Sequence, residues 1–231
     1  MKLKTLGIND YLLKTLKIIQ NDKLFDDFYL VGGTALSLQL GHRVSDDIDL
    51  FTDKNMNRDA IYDYLRININ KDIKIVNNEG SIFQLYIEKE RLKLDFVKLP
   101  YNLIDPLIKT EGVRLAGKND ISAMKIAATG QRGNEAKDYF DLYYLLKDMS
   151  IDKMFENFKK KYQMNDILHY VRSVIYFDDV PEKSWKALKP IKDKVSITMI
   201  KNKLINEVTD YQRRNIKNKI NNDNGGIGGG R

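Results

Sequence analysis

The 231-residue chain contains no cysteine, which excludes a disulfide framework and any thiolate chemistry. No run of about 18 apolar residues occurs, so no transmembrane helix is expected. The opening segment MKLKTLGINDYLLKTLKII mixes charge into its apolar residues and lacks the continuous core of a signal peptide. Histidine occurs only twice, at His42 and His169, and no spacing suggests a zinc site. These absences point to a cytoplasmic protein without a membrane attachment.

What is present is ordinary for a globular protein: 42% hydrophobic and 31% charged residues, with length enough for one or two domains. The net charge of +7 favours an anionic partner, nucleic acid or nucleotide phosphate. A solvated lysine-rich surface is the plain alternative.

Periodicity supplies a coarse map. Ile8, Leu12, Leu16 and Ile19 recur at helical spacing over residues 8–21. FDDFYLVGG reads as a strand running into a turn at Gly32-Gly33. TALSLQL reads as a short helix, capped by Thr34 and closed by Gly41. DIDLF alternates as a strand with Asp47 and Asp49 on one face. The segment NRDAIYDYLRININ is helical in its first half. Three strands follow, with turns at Asn77–Gly80 and Lys89–Arg91, and Pro100 ends the last. GVRLAG is strand-like, and helices are expected from about Asp120, over NEAKDYFDLYYLLKDM and over IDKMFENFKKKY. Helical periods broken by Pro181 and Pro190 lead to NNDNGGIGGGR, a flexible tail by composition. The fold class is α/β (α+β): an α/β unit over 1–115, a helical unit over 116–220, and a tail over 221–231.

The chemistry concentrates in LVGGTALSLQLGHRVSDDIDLF, residues 30–51, where Asp46, Asp47 and Asp49 follow a glycine pair. Asp47 and Asp49 project together from one strand face. Carboxylates this close repel and raise a pKa unless a cation lies between them, and Mg²⁺ takes carboxylate oxygens together with substrate phosphates. Glycines and a following helix N-terminus suit a triphosphate lying across Gly33 and Thr34. Asp95 in RLKLDFVKL is an acid in a strand otherwise suited to a core, which needs a reason. Sharing metal ions with Asp47 and Asp49 supplies one, as two-metal nucleotidyl transfer requires.

Gly32, Gly33, Asp47, Asp49 and Asp95 together resemble the signature of the DNA polymerase beta-type nucleotidyltransferase superfamily. More narrowly, GGTALSLQLGHRVSDDIDLF, KLDFV and DISAMKIAATGQRGNEAKDYFDLYYLL resemble the AbiEii/MenT nucleotidyltransferase toxins of type IV toxin–antitoxin, or abortive-infection, systems, over about residues 28–147. The resemblance implies a catalytic domain with a mixed sheet and a helical C-terminal domain that contributes to the active site. It implies a nucleoside triphosphate substrate, an RNA acceptor at the 3′ end of tRNA, and a cognate antitoxin. It places Lys125, and Asp138 or Asp141, in the active site, with Asp138 the first choice and Lys125 neutralising triphosphate charge. Arg43 for a phosphate and Ser45 for orienting the acidic strand are secondary candidates.

Each feature alone has a plainer reading: a turn at the glycines, a solvated acidic loop, a surface Lys125, first-turn acids at Asp138 and Asp141. His42 reads as a solvent-exposed residue. Lys159–Lys161 reads as an RNA contact or a solvated helix face. Trp185 and the tyrosines read as core sooner than base platforms. A protein or small-molecule acceptor, such as an aminoglycoside, is the second functional reading. A catalytically inactive nucleotide- or partner-binding protein is the third.

Overall fold

The computed structural model describes the backbone of residues 1–225 and side chains through residue 217. The expected tail falls partly outside these: residues 221–225 continue the last helix, and 226–231 lie outside the described residues.

Helix α1 (Asp10–Asn21) starts where the Asn9 side chain accepts the Leu12 amide, and buries Leu12, Leu16 and Ile19 along one face. Strand β1 (Tyr29–Leu30) leads directly into α2 (Gly32–Leu40). The glycine pair is therefore the first turn of a helix, not a separate turn. Thr34 is not its cap, because Val31 occupies that position with no side-chain bond. Gly41 closes the helix as expected. Strand β2 (Asp47–Thr52) follows, then α3 (Arg58–Asn68), capped by Asn57. The meander β3 (Lys74–Asn77), β4 (Ile82–Ile87) and β5 (Leu92–Lys98) matches the three expected strands.

A hairpin of β6 (Ile108–Thr110) and β7 (Val113–Leu115) comes next. β7 matches the strand-like GVRLAG. β6 carries only three residues and no alternating pattern, so periodicity does not reveal it. The rest is helical: α4 (Lys118–Gln131), α5 (Ala136–Leu145), α6 (Ile151–Tyr162), α7 (Leu168–Ser173), α8 (Glu182–Lys186) and α9 (Ile197–Gly225). Among the described residues no helix is long and apolar enough to cross a membrane.

The strands form one mixed sheet of order β3-β4-β5-β2-β1-β7-β6. β2 and β5 are central and parallel, with Asp47 opposite Lys93 and Asp49 opposite Asp95. Their alternate residues Ile48, Leu50, Leu94 and Phe96 are fully buried. Phe25, Phe28 and Tyr64 complete an aromatic cluster on that side, with Phe28 edge-on to Phe96 at 5.5 Å. Each fully buried side chain contributes roughly 1.5–3 kcal/mol. A one-residue slip of β2 would expose its apolar pair and bury its acids, so the core fixes which way the acids point.

Candidate active site

The polar face of β2 and β5 forms one wall of a cleft of about 1300 Å³. Asp46, Asp47, Asp49 and Asp95 line it, with Gly32, Gly33, Arg43 and Ser45 beside them and Lys125 and Asp138 across from them. Ten of the twelve candidate side chains or glycines named from sequence therefore border one space. Thr34 and Asp141 do not.

The acids are unequally neutralised. Asp95 accepts from Gln84 Nε2 at 2.9 Å and pairs with Lys93 Nζ at 2.9 Å. Asp47 lies 3.5 Å from Lys137 Nζ. Among the described residues Asp49 has neither a side-chain donor nor an ion-pair partner. Burial, with the Asp95 and Asp47 charges adding, pushes its carboxyl up to about 6. A cation is what this carboxyl lacks.

Gly32 and Gly33 are required at α2 for two different contacts. Gly32 has φ +70, and a Cβ there would stand 2.3 Å from Asp49 Oδ2. At Gly33 a Cβ would stand 2.2 Å from Arg43 Nη2. The first-turn amides of α2 have no intrahelical acceptors, and both glycines face the cleft. Thr34 is fully buried. Its hydroxyl donates to the Asp47 carbonyl, and bonds Ser45 Oγ at 2.9 Å. Thr34 thus pins the start of β2 and offers nothing to a phosphate through its side chain. Ser45 belongs to the same small network, in keeping with an orienting role.

Behind the cleft wall lies a buried ion network. Asp141 accepts from Arg43 Nε at 2.6 Å and Nη2 at 2.8 Å, and from His42 Nε2 at 2.8 Å. Lys125 Nζ bridges Asp138 at 2.7 Å and Asp141 at 2.6 Å. Arg132 Nη2 reaches the other oxygen of Asp138 at 2.7 Å. Burial pushes both carboxyls up, but the neighbouring cations outweigh it. Lys125 and Arg132 hold Asp138 below its ordinary value, and Arg43 and Lys125 hold Asp141 well below. Burial lowers His42 against the opposing pull of Asp141, so it stays neutral. Three cations face two carboxylates, and Arg132, half-exposed, carries the excess charge into the cleft.

Several expectations change on these facts. His42 is fully buried, not exposed. Arg43 is occupied by Asp141 and by the Val44 carbonyl at 2.9 Å, so it is a strut behind Gly33 more than a free phosphate ligand. Lys125 is buried and spans two acids, unlike a surface lysine. Lys161 is neither solvated nor open to RNA, since it is buried against Asp120 at 2.7 Å; Lys159 and Lys160 are exposed. Trp185 is buried beside Tyr139 and Phe177, as core. Lys93, Lys137 and Arg132 escape the sequence reading. For Lys93 the signal exists, because residues two apart on a strand share a face and Lys93 precedes Asp95 by two.

Oxygen donors from Asp47, Asp49 and Asp95 on one sheet face suit a hard divalent cation, and the unneutralised Asp49 fits one. As the side chains stand, no group of three acids or histidines among the described residues is close enough to grip a metal, since Lys93 and Gln84 hold Asp95 and Lys137 attracts Asp47.

The sheet order, the helix opened by glycines and the paired acidic strands define a nucleotidyltransferase fold. The family model for the AbiEii nucleotidyl transferase toxin of type IV toxin–antitoxin systems matches residues 14–217, and the chain belongs to that family. It is a nucleotidyltransferase of the toxin class. The match extends beyond residues 28–147 at both ends and takes in the C-terminal helices. An uncharacterized protein of Aquifex aeolicus (strain VF5) is 34% identical over 178 residues, 74% of this chain and 83% of that one. A Helicobacter pylori chain assigned as a nucleotidyltransferase superposes with TM-score 0.56 at 19% identity, covering 90% of this chain and 94% of its own. MenT4, a nucleotidyltransferase toxin of Mycobacterium tuberculosis, superposes with TM-score 0.53 at 14% identity, covering 87% and 84%.

Proposed function

We propose that the chain transfers a nucleotide from a nucleoside triphosphate to an RNA hydroxyl, the 3′ end of tRNA, and that this block on translation is its toxic act in the cytoplasm. The acceptor oxygen attacks the α-phosphorus, the bond to the bridging α–β oxygen breaks, and pyrophosphate leaves. The observation that carries the reading is the meeting of three carboxylates, the glycine-opened start of α2 and the Arg132 charge in one cleft.

Asp47, Asp49 and Asp95 would hold Mg²⁺, whose bound form supplies charge neutralisation and activates the acceptor hydroxyl. Gly32 and Gly33 would offer backbone amides to phosphate oxygens. Arg132 and Lys137 stand where their charge reaches a bound triphosphate. Lys125 would lend its charge from between two acids. Asp138 and Asp141 are positioning residues, the first through Lys125 and Arg132, the second through Arg43. Residues 1–115 would form the catalytic unit and 116–220 the helical unit that closes the cleft. The +7 charge suits RNA, and membership of a toxin family implies a cognate antitoxin.

The test is incubation with α-³²P-labelled ATP, CTP, GTP or UTP, Mg²⁺ and total tRNA, with Asp47→Ala as control. Labelled tRNA from the parent and none from the control is expected, and the active triphosphate names the base. Label in protein instead of RNA would transfer the proposal to another acceptor. No label from folded protein would overturn it.

A further inference from the structure

Lys93 stands where a metal would be expected to compete with it. β2 and β5 are parallel and in register, so Asp47 faces Lys93 and Asp49 faces Asp95 across the pair. Paired and alternate residues share one sheet face. Three carboxylates and one ammonium therefore occupy four adjoining positions. The ammonium is 2.9 Å from Asp95 Oδ2, and Gln84 already donates to Oδ1. Both oxygens of Asp95 are engaged by the chain itself.

A divalent cation that binds through Asp95 must displace that ammonium, because two cations on one carboxylate oxygen repel strongly in a half-buried site. A metal arriving alone leaves the displaced Lys93 beside it with no replacement anion. A metal arriving with a triphosphate brings oxygens that can take the ammonium, a compact charge with three donors on a flexible stem. The two binding events are then linked, and linkage between them is reciprocal.

We propose that Lys93 is a tethered cation that opposes metal binding to the three carboxylates until a triphosphate is present, then passes from Asp95 to the phosphates, so that metal and nucleotide bind as a unit. This rests on the nucleotidyl-transfer reading of the cleft. In that reading Lys93 is a residue that sets the order and strength of substrate binding, and it protects the site from filling with metal alone.

The test follows Mn²⁺ binding by electron paramagnetic resonance in the full chain, in Lys93→Met, in Lys93→Arg and in Asp49→Asn. Each is titrated with Mn²⁺ alone, then with Mn²⁺ and the α,β-methylene analogues of the four nucleoside triphosphates. Thermal melting checks that each variant is folded. Lys93→Met is expected to bind Mn²⁺ alone about tenfold more tightly than the parent, within the usual range of coupling between sites. It should also lose most of the enhancement that the analogue produces. Lys93→Arg, which keeps the charge, should stay near the parent. Equal or weaker Mn²⁺ binding by Lys93→Met, with Asp49→Asn deprived of Mn²⁺, would overturn the role of Lys93 alone. Equal Mn²⁺ binding by the parent and Asp49→Asn with the analogue present, or none by the parent, would overturn the nucleotidyl-transfer reading and this proposal with it.

Discussion

Gly33 and Arg43 are in direct contact. A Cβ on Gly33 would stand 2.2 Å from Nη2 of Arg43, and that guanidinium cannot swing away freely because Asp141 grips it with two hydrogen bonds. Glycine is needed here by the packing of the protein as well as by the approach of a ligand. Gly33→Ala should therefore destabilise the fold, by about 1–3 kcal/mol as for other overpacked sites, and reduce transfer. Urea unfolding measures the first. An unchanged midpoint with weakened triphosphate binding would mean that the contact yields and the glycine serves the ligand alone.

Asp141 joins α5 to the segment before β2 and to α4. Asp141→Asn keeps the shape and removes the charge, leaving Arg43 and Lys125 to share Asp138 and Arg132 as neighbours. Removing one member of a buried ion network typically costs about 3–5 kcal/mol. The pH dependence has a definite sign. Burial raises this carboxyl, but Arg43 and Lys125 hold it well below its ordinary 3.8. Its contribution is then fully present above 3.8 and is lost as pH falls below that value. The variant should melt well below the parent at pH 7, with the gap narrowing in strong acid. Equal melting temperatures at pH 7 would contradict the network.

Asp49 has the opposite sign. Burial first, then Asp95, raises it from 3.8 to about 6. The folded protein binds this proton more tightly than the unfolded chain, so stability declines as pH rises from 3.8 to about 6 and stays lower above it. In EDTA, Asp49→Asn should gain up to about 3 kcal/mol at pH 7.5, at 1.36 kcal/mol per pKa unit. It should gain almost nothing at pH 3.5, and lose transfer at both. Melting curves across that range would show it, and a variant less stable than the parent at pH 7.5 would refute the electrostatic account.

Lys161 behaves as a structural residue. Its ammonium meets Asp120 at 2.7 Å and the Asn102 carbonyl at 3.2 Å, and Asp120 also accepts the amides of Ile104 and Asp105. Lys161→Ala should cost about 3–5 kcal/mol by leaving a buried carboxylate without its cation. Lys159→Ala and Lys160→Ala, at exposed positions, should change stability by no more than about 0.5 kcal/mol. Chemical denaturation separates the two classes, and equal small losses at all three positions would show that the pair with Asp120 contributes nothing.

The sequence by itself determined what depends on neighbouring residues along the chain. Alternation in DIDLF put Asp47 and Asp49 on one face and Ile48 and Leu50 on the other, and KLDFV did the same for Asp95, because a strand repeats every two residues whatever surrounds it. Helical spacing located α1, α5 and α6 for the same kind of reason. Tertiary structure alone decided which charges are buried and with what. His42 and Arg43 meet Asp141 across about a hundred residues, and Lys161 meets Asp120 across 41. A lysine or arginine enters an interior only where a distant carboxylate compensates its lost hydration. No local pattern records that distant partner, so Arg43 and Lys161 looked like surface cations until the elements were brought together.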